Sequence, residues 1–413
     1  MKYIILLSFI LFFSCQKEII NSIEDTGSLP KIEIIMDDYH LWSPDSGIYV
    51  AGEPFANWDN NWEHPATIKY IENNTIIFQE EVGVRIKGNR TRKFAMKSFG
   101  FYFRNEYGNN SLEYPVFTNS DISNYKRLMV RNSGNDFGIT QIHDISTVSI
   151  VRGHVNFEFQ EYKQCVVYLN DVYWGIYNLR EMITKHFFES HFGFPKENID
   201  ILEGSEISPT ADDGNIESYM SNVVDFIDNH DLSLTDNYNN IQSIIDIDSY
   251  IDYLIVNTYI GSRDWPHHNI KWWKDRTTTD SKWRWIMYDT DISFQLDNVE
   301  YLWIGDLFGS PYPDEGSFYI FNKLIKNTNF KEKFLNRYLY IIEDVFNKSR
   351  VESLILENKS KIELEYDNFH NKWPGTNNQS EWERNIDNLI EFNNQRYDIV
   401  KNIILNLKND IKE

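Results

Sequence analysis

Cysteine is scarce in this 413-residue chain. There are two, Cys15 and Cys165, and they imply no disulfide framework. Positive charge is also short: 40 Lys and Arg stand against 62 Asp and Glu, a formal net charge of −22. A surface this acidic repels nucleic acid and anionic headgroups, which argues against polyanion-binding roles. An anionic nucleotide then needs a local basic pocket and a divalent cation. No internal repeat is evident. A P-loop is missing too: Gly83 and Gly88 lie among cations, but Asn89 follows Gly88 where Lys and Ser/Thr are needed. Aromatic residues, by contrast, make up 15% of the chain, which suits a packed globular protein and not a disordered one. The length suffices for one large domain or two lobes.

Residues 1–14 read as a signal peptide: Lys2, an apolar run from Ile4 to Phe13, then small Ser14. The run is too short to span a bilayer comfortably. Leu11-Phe12-Phe13-Ser14-Cys15 resembles a bacterial lipobox, with Phe13 unusual at its position. The resemblance implies cleavage before Cys15, lipid on its thiol and attachment to a membrane of the bacterial cell envelope. An ordinary secretory signal with an incidental Cys15 is the plainer reading. Residues 15–30 are expected to form a polar tether.

Residues 31–182 carry a mostly β pattern. Asn73-Asn74 and Asn170-Asp171 each divide two strand-like runs, the signal of a hairpin. Cys165 lies in the apolar run Gln164–Tyr168 and is expected to be a small buried hydrophobe. Gly138–Arg152 reads as an amphipathic helix, and Thr184 as the N-cap of another. Residues 183–413 turn helical, with helices expected at Ile216–Asn229, Ile245–Ile260, Phe318–Phe346, Arg350–His370 and Glu381–Lys412. An irregular segment with Trp303, Gly305, Gly309, Pro311 and Pro313 interrupts them.

The chemistry concentrates in Ser262-Arg263-Asp264-Trp265-Pro266-His267-His268-Asn269 and in Tyr288-Asp289-Thr290-Asp291. An aromatic hairpin pattern lies between, so carboxylates at its two ends can converge at one sheet edge. Phosphoryl transfer needs that grouping: one Asp orients the acceptor hydroxyl, while an Asn and another Asp hold the metal that neutralises the phosphates. Asp264 and Asn269 have the Asp-to-Asn spacing of the protein-kinase signature. Turn chemistry, a salt bridge or a calcium loop would use the same residues. Asp264 with Asp289 can also imitate a glycosidase carboxylate pair. Upstream, a strand, a cation-rich Gly88 turn and a strand entered by Lys97 follow the plan of a nucleotide-covering loop and a phosphate-pairing lysine. A solvated surface hairpin fits equally, and Lys87 is the rival lysine. Glu181, where sheet meets helix, can pair such a lysine or a neighbouring arginine.

Seven pieces in order resemble the CotH kinase family: Trp58 to Pro65, Arg85 to Arg90, Met96-Lys97-Ser98, Arg131 to Asp136, Tyr168 to Glu181, Arg263 to Asn269, and Trp285 to Phe294. The resemblance implies an α+β, atypical protein-kinase-like two-lobe fold, with a β-rich N-lobe over residues 31–182 and a helical C-lobe over 183–413. It implies transfer of phosphate from ATP, with Mg2+ or Mn2+, to a protein Ser, Thr or Tyr. It makes Asp264 the catalytic Asp, Lys97 the phosphate-binding lysine and Glu181 its partner. Asn269, Asp289 and Asp291 become metal ligands. Arg90 stands where the family turn often has a small hydroxyl. A module that keeps this fold without turnover and binds protein or glycan at the cell surface is the competing reading.

Overall fold

The computed structural model describes residues 29–51, 56–300 and 318–410. The signal peptide, Cys15, most of the tether and the segment from Trp303 to Pro313 lie outside the described residues. Among the described residues, no helix is long and apolar enough to cross a membrane.

The first half is built from β1 (Lys31–Ile35), β2 (His64–Glu72), β3 (Thr75–Lys87), β4 (Ser98–Tyr102), the short pair β5 (Leu112–Glu113) and β6 (Asn124–Tyr125), β7 (Arg127–Arg131), β8 (Glu158–Phe159), β9 (Tyr162–Leu169) and β10 (Val172–Glu181). Seven of these close a barrel in the order β1-β2-β3-β4-β7-β10-β9, sealed by parallel pairing of β1 with β9. Both expected hairpin turns form, with left-handed φ at Asn73, Asn74, Asn170 and Asp171. Asn and Asp tolerate that conformation, and the turn it makes matches the twist of the strands. Strand alternation sends Val84, Ile86, Phe99, Phe101, Leu128, Val130 and Leu179 into the buried interior. Cys165 is buried there as expected, and burial pushes its thiol up to about 12. The outward residues Arg85, Lys87, Gly100, Tyr102, Arg127, Met129, Arg131 and Arg180 therefore share the opposite face.

The second half is not purely helical. It contains β11 (Ile199–Ser205), β12 (Ser208–Asp213), β13 (Lys271–Asp275) and β14 (Arg284–Met287), which with β8 form a sheet in the order β12-β11-β13-β14-β8. β8 comes from the first half of the chain. Its Glu158 accepts from Trp273 Nε1 at 2.8 Å and pairs with Arg284 at 2.8 Å.

Helices cover this framework. α1 (His143–Val151) is shorter than expected, and it is not amphipathic: all nine of its residues are buried. It is enclosed on more than one side, with Asp144 on Arg180 of the barrel and Ser149 Oγ accepting from Asn358 at 3.0 Å. α2 (Lys185–Phe192) follows Thr184, whose side chain makes no cap bond. α3 (Ile247–Ile260) matches its expectation closely. The expected helix at Ile216–Asn229 is interrupted by a π-turn at Met220–Val224. That expected at Phe318–Phe346 restarts at Asn327, whose side chain caps α4 (Thr328–Tyr340). α5 (Lys348–Glu363) and the capping-box helix α6 (Gln379–Asn409) complete the C-terminal part. α6 buries Trp382, Ile386, Leu389, Phe392, Val400 and Ile404.

Candidate active site

α3 ends at Gly261, where φ is +63° and the backbone turns sharply out of the helix. Trp265, fully buried and edge-on to Tyr253 and Phe318, anchors the loop that follows. Two hydrogen bonds fix this loop to the segment after β14. Arg263 N donates to Ile292 O at 3.0 Å, and Asn269 Nδ2 donates to Asp289 O at 3.3 Å. The two ends of the β13–β14 hairpin thus meet. Asp264 is half-buried, and its carboxylate has no side-chain partner among the described residues.

The acidic pair is gathered by one arginine. Arg131, the last residue of β7, bonds Asp289 and, at 2.7 Å, Asp291 through the same terminal nitrogen. Asp291 also accepts from Asn135 N at 2.9 Å and Asn135 Nδ2 at 3.3 Å. Gly134 makes that approach possible. Its φ is +62°, and a Cβ there would lie 1.8 Å from Asp291 Oδ2. Behind Arg131, Asp144 pairs with Arg180 and accepts from Thr290 N at 3.1 Å. Burial acts against the Asp144 charge, yet Arg180 and Arg131 hold its carboxyl well below the usual range. Asp291 behaves oppositely. Burial, then the charge of Asp289, pushes it up to about 7 against the pull of Arg131 and Asn135. The Asp289 side chain is 31% exposed and that of Asp291 only 1%, so Asp289 presents its oxygens outward while Asp291 backs it.

Lys97 and Glu181 are not brought together. Lys97 Nζ donates to the carbonyls of Arg92 and Phe94, both at 2.7 Å, and lies 4.3 Å over the Trp58 ring. It clamps the turn before β4, and burial lowers its ammonium to about 8. Glu181 accepts from Glu161 N at 3.0 Å and meets His191 of α2 at 2.6 Å. Neither partner expected for Glu181, a lysine or an arginine, is the one it has. Lys87 instead faces outward on the Arg131 side of the barrel, beside Gly100, with no carboxylate bonded to it among the described residues. Burial and the neighbouring Arg92, Arg127 and Arg85 lower it to about 8.

A family model described as CotH kinase protein matches residues 84–400. The chain belongs to the CotH kinase family. Kinase-family membership brings use of a nucleotide and a divalent metal in general terms. No curated protein matches the chain. Among solved structures, the crystal structure of a Helicobacter pylori proinflammatory kinase, CtkA, aligns over 75% of this chain and 95% of that one, at 11% identity and a TM-score of 0.33. At that score the two backbones differ too much to bear on architecture. Arg131, Asn135, Asp144 and Arg180 were given no role by sequence reasoning. Arg131 and Asn135 lie in one family-like piece and Arg180 in another, which was the available signal.

The donor set fits a hard divalent cation. Asp289, Asp291 and the Asn269 carbonyl oxygen are oxygen ligands of the kind Mg2+ takes, and added positive charge would relieve the raised Asp291. Among the described residues, however, no three His, Cys, Asp or Glu side chains already form a metal-ready cluster.

Proposed function

We propose that this chain is an exported, lipid-anchored protein kinase that transfers the γ-phosphate of ATP to a protein hydroxyl. The observation that carries the reading is the meeting of the Asp264–Asn269 loop with Asp289 and Asp291 at one end of the β13–β14 hairpin, in a CotH-family chain. In this reading the barrel and the β11–β14 part with its helices act as the two lobes of an atypical kinase-like fold. Asp264 orients the acceptor hydroxyl and takes its proton. Asp289, Asp291 and Asn269 hold Mg2+ or Mn2+, which when bound offsets phosphate charge. Arg131 keeps the two carboxylates together before the metal arrives.

The contacts of Lys97 support a clamp, and Lys87, with no carboxylate bonded to it among the described residues, is the lysine left to pair with phosphate. Lys87→Ala is therefore expected to raise the KM for ATP by about tenfold or more, the usual consequence of losing a charge-assisted contact. Lys97→Ala is expected to lower thermal stability with a smaller change in KM. Label transfer from γ-labelled ATP, with melting curves alongside, checks both. Absence of any transfer by the wild type would end the kinase reading. A non-catalytic binding module is favoured by one observation, that Arg131 already neutralises the acidic pair; it predicts that same absence.

The export part rests on Leu11 to Cys15. Cys15→Ala is expected to move the protein from the membrane fraction to the soluble one. A variant that stays membrane-bound after a high-salt wash would count against the anchor.

A further inference from the structure

Asp289 stands in a backbone conformation that a side chain seldom adopts unaided. Its φ is +58°, and Asn269, bonded to its carbonyl, is at +60°. Such conformations cost energy and persist where surrounding contacts hold them. Side chains hold this turn from several directions. Asn269 Nδ2 donates to Asp289 O at 3.3 Å, and Ser293 Oγ donates to Thr290 O at 2.6 Å. A further hold comes from α1. Asp144 Oδ1 accepts from both Thr290 N at 3.1 Å and Thr290 Oγ1 at 3.0 Å. The peptide joining Asp289 to Thr290 is therefore gripped at its oxygen by Asn269 and at its nitrogen by Asp144.

Asp144 is more than a counter-ion here, because its two oxygens divide their work. Oδ2 is bonded by Arg180 and lies 3.9 Å from Arg131 Nε, while Oδ1 is taken up by Thr290. Asp144 is also buried, on a helix enclosed along its whole length, so it offers the turn a fixed point. Arg131 holds the acidic pair differently. It bonds Asp289 Oδ1 and Asp291 Oδ2, oxygens that a cation would itself need. Asp144 reaches the pair through the residue between them and leaves those oxygens free.

We propose that Asp144 is a positioning residue for the metal site. Through the N–H and hydroxyl of Thr290 it fixes the turn that aims Asp289 outward, and it keeps that hold when a cation draws Asp289 and Asp291 away from Arg131. The inference rests on the reading of Asp289 and Asp291 as metal ligands, and adds to it a residue that touches neither metal nor substrate. Groups that orient metal-binding carboxylates from behind commonly govern metal affinity by about 10- to 100-fold.

The test uses the full chain with ATP and Mn2+ as the probe. Bound Mn2+ is read by electron paramagnetic resonance, and transfer by label from ATP. Substituting Asp144 would strip a counter-charge from Arg131 and Arg180, so Thr290 is varied instead. Thr290→Val keeps the shape and the backbone bond but loses the hydroxyl, whereas Thr290→Ser keeps both donors. Thr290→Val is expected to bind Mn2+ about tenfold more weakly than the wild type, and Thr290→Ser to stay close to it. Thr290→Ala, which lacks the hydroxyl without refilling its place, is expected to follow Thr290→Val. Transfer by Thr290→Val is expected to fall at limiting Mn2+ and to recover as Mn2+ is raised, which a general loss of structure would not allow. Wild-type Mn2+ affinity in Thr290→Val would overturn the proposal, even with transfer intact. Thr290→Ser binding as weakly as Thr290→Val would overturn it too, as would a wild type that holds no Mn2+. Weaker Mn2+ binding by Thr290→Val, in a protein whose wild type transfers no label, would support the positioning role while ending the kinase reading.

Discussion

Asp264→Asn is expected to bind nucleotide and metal like the wild type and to transfer phosphate about 10²–10⁴-fold more slowly, the usual range for a lost general base. The substitution keeps the shape of a half-buried side chain with no partner to lose among the described residues. Asp289→Asn and Asp291→Asn are expected to behave differently. Each removes a negative charge where a dication would bridge protein to phosphate, so metal-dependent nucleotide binding itself should weaken. Asp291→Asn should also lower stability, because Arg131 and Asn135 both bond that carboxylate. Calorimetric titration of nucleotide with and without Mg2+, alongside melting curves, separates these outcomes. Three folded variants with wild-type binding and transfer would mean that the loop is a structural turn.

Arg131→Met is expected to cost about 3–5 kcal/mol of stability, the range for removing one partner of a buried ion pair. The reason lies less in the hydrogen bonds broken than in the charges left behind. Asp289, Asp291 and Asp144 would remain near one another with Arg180 alone to offset them. Urea unfolding gives the magnitude. Mg2+ is expected to restore more stability to Arg131→Met than it adds to the wild type, since the vacated place is an acidic one. Combining Arg131→Met with Asp291→Asn should recover part of the loss, because one uncompensated charge then disappears. A variant as stable as the wild type, and indifferent to Mg2+, would remove Arg131 from the account of the site.

The parts of this site that were legible in the sequence are those whose causes are local. The helix expected over Ile245–Ile260 delivers the chain into the Asp264 loop, and an aromatic hairpin brings Asn269 to Asp289 across 20 positions. The turns at Asn73-Asn74 and Asn170-Asp171 were legible for the same reason. What sequence reasoning missed depends on distant pairing. Arg131 meets its acidic partners across 158 and 160 positions, and nothing beside it in the chain announces them. The β11–β12 hairpin was hidden by polar residues in a region otherwise helical by period. Lys97 and Glu181 are held apart by contacts of the same two kinds. Lys97 precedes β4 and turns to nearby carbonyls, whereas Glu181 ends β10 and is met by His191 as α2 folds back.

β8 is two residues long, yet it changes what the two halves can be. It leaves the barrel half of the chain to edge the other sheet, where Glu158 holds Trp273 and Arg284. A cut between residues 182 and 183 would strand that edge and leave Arg131 without Asp289 and Asp291. The halves are therefore not separable modules, to be expressed apart or exchanged between relatives like beads. Recombination within this family would have to carry β8 and β14 from the same parent.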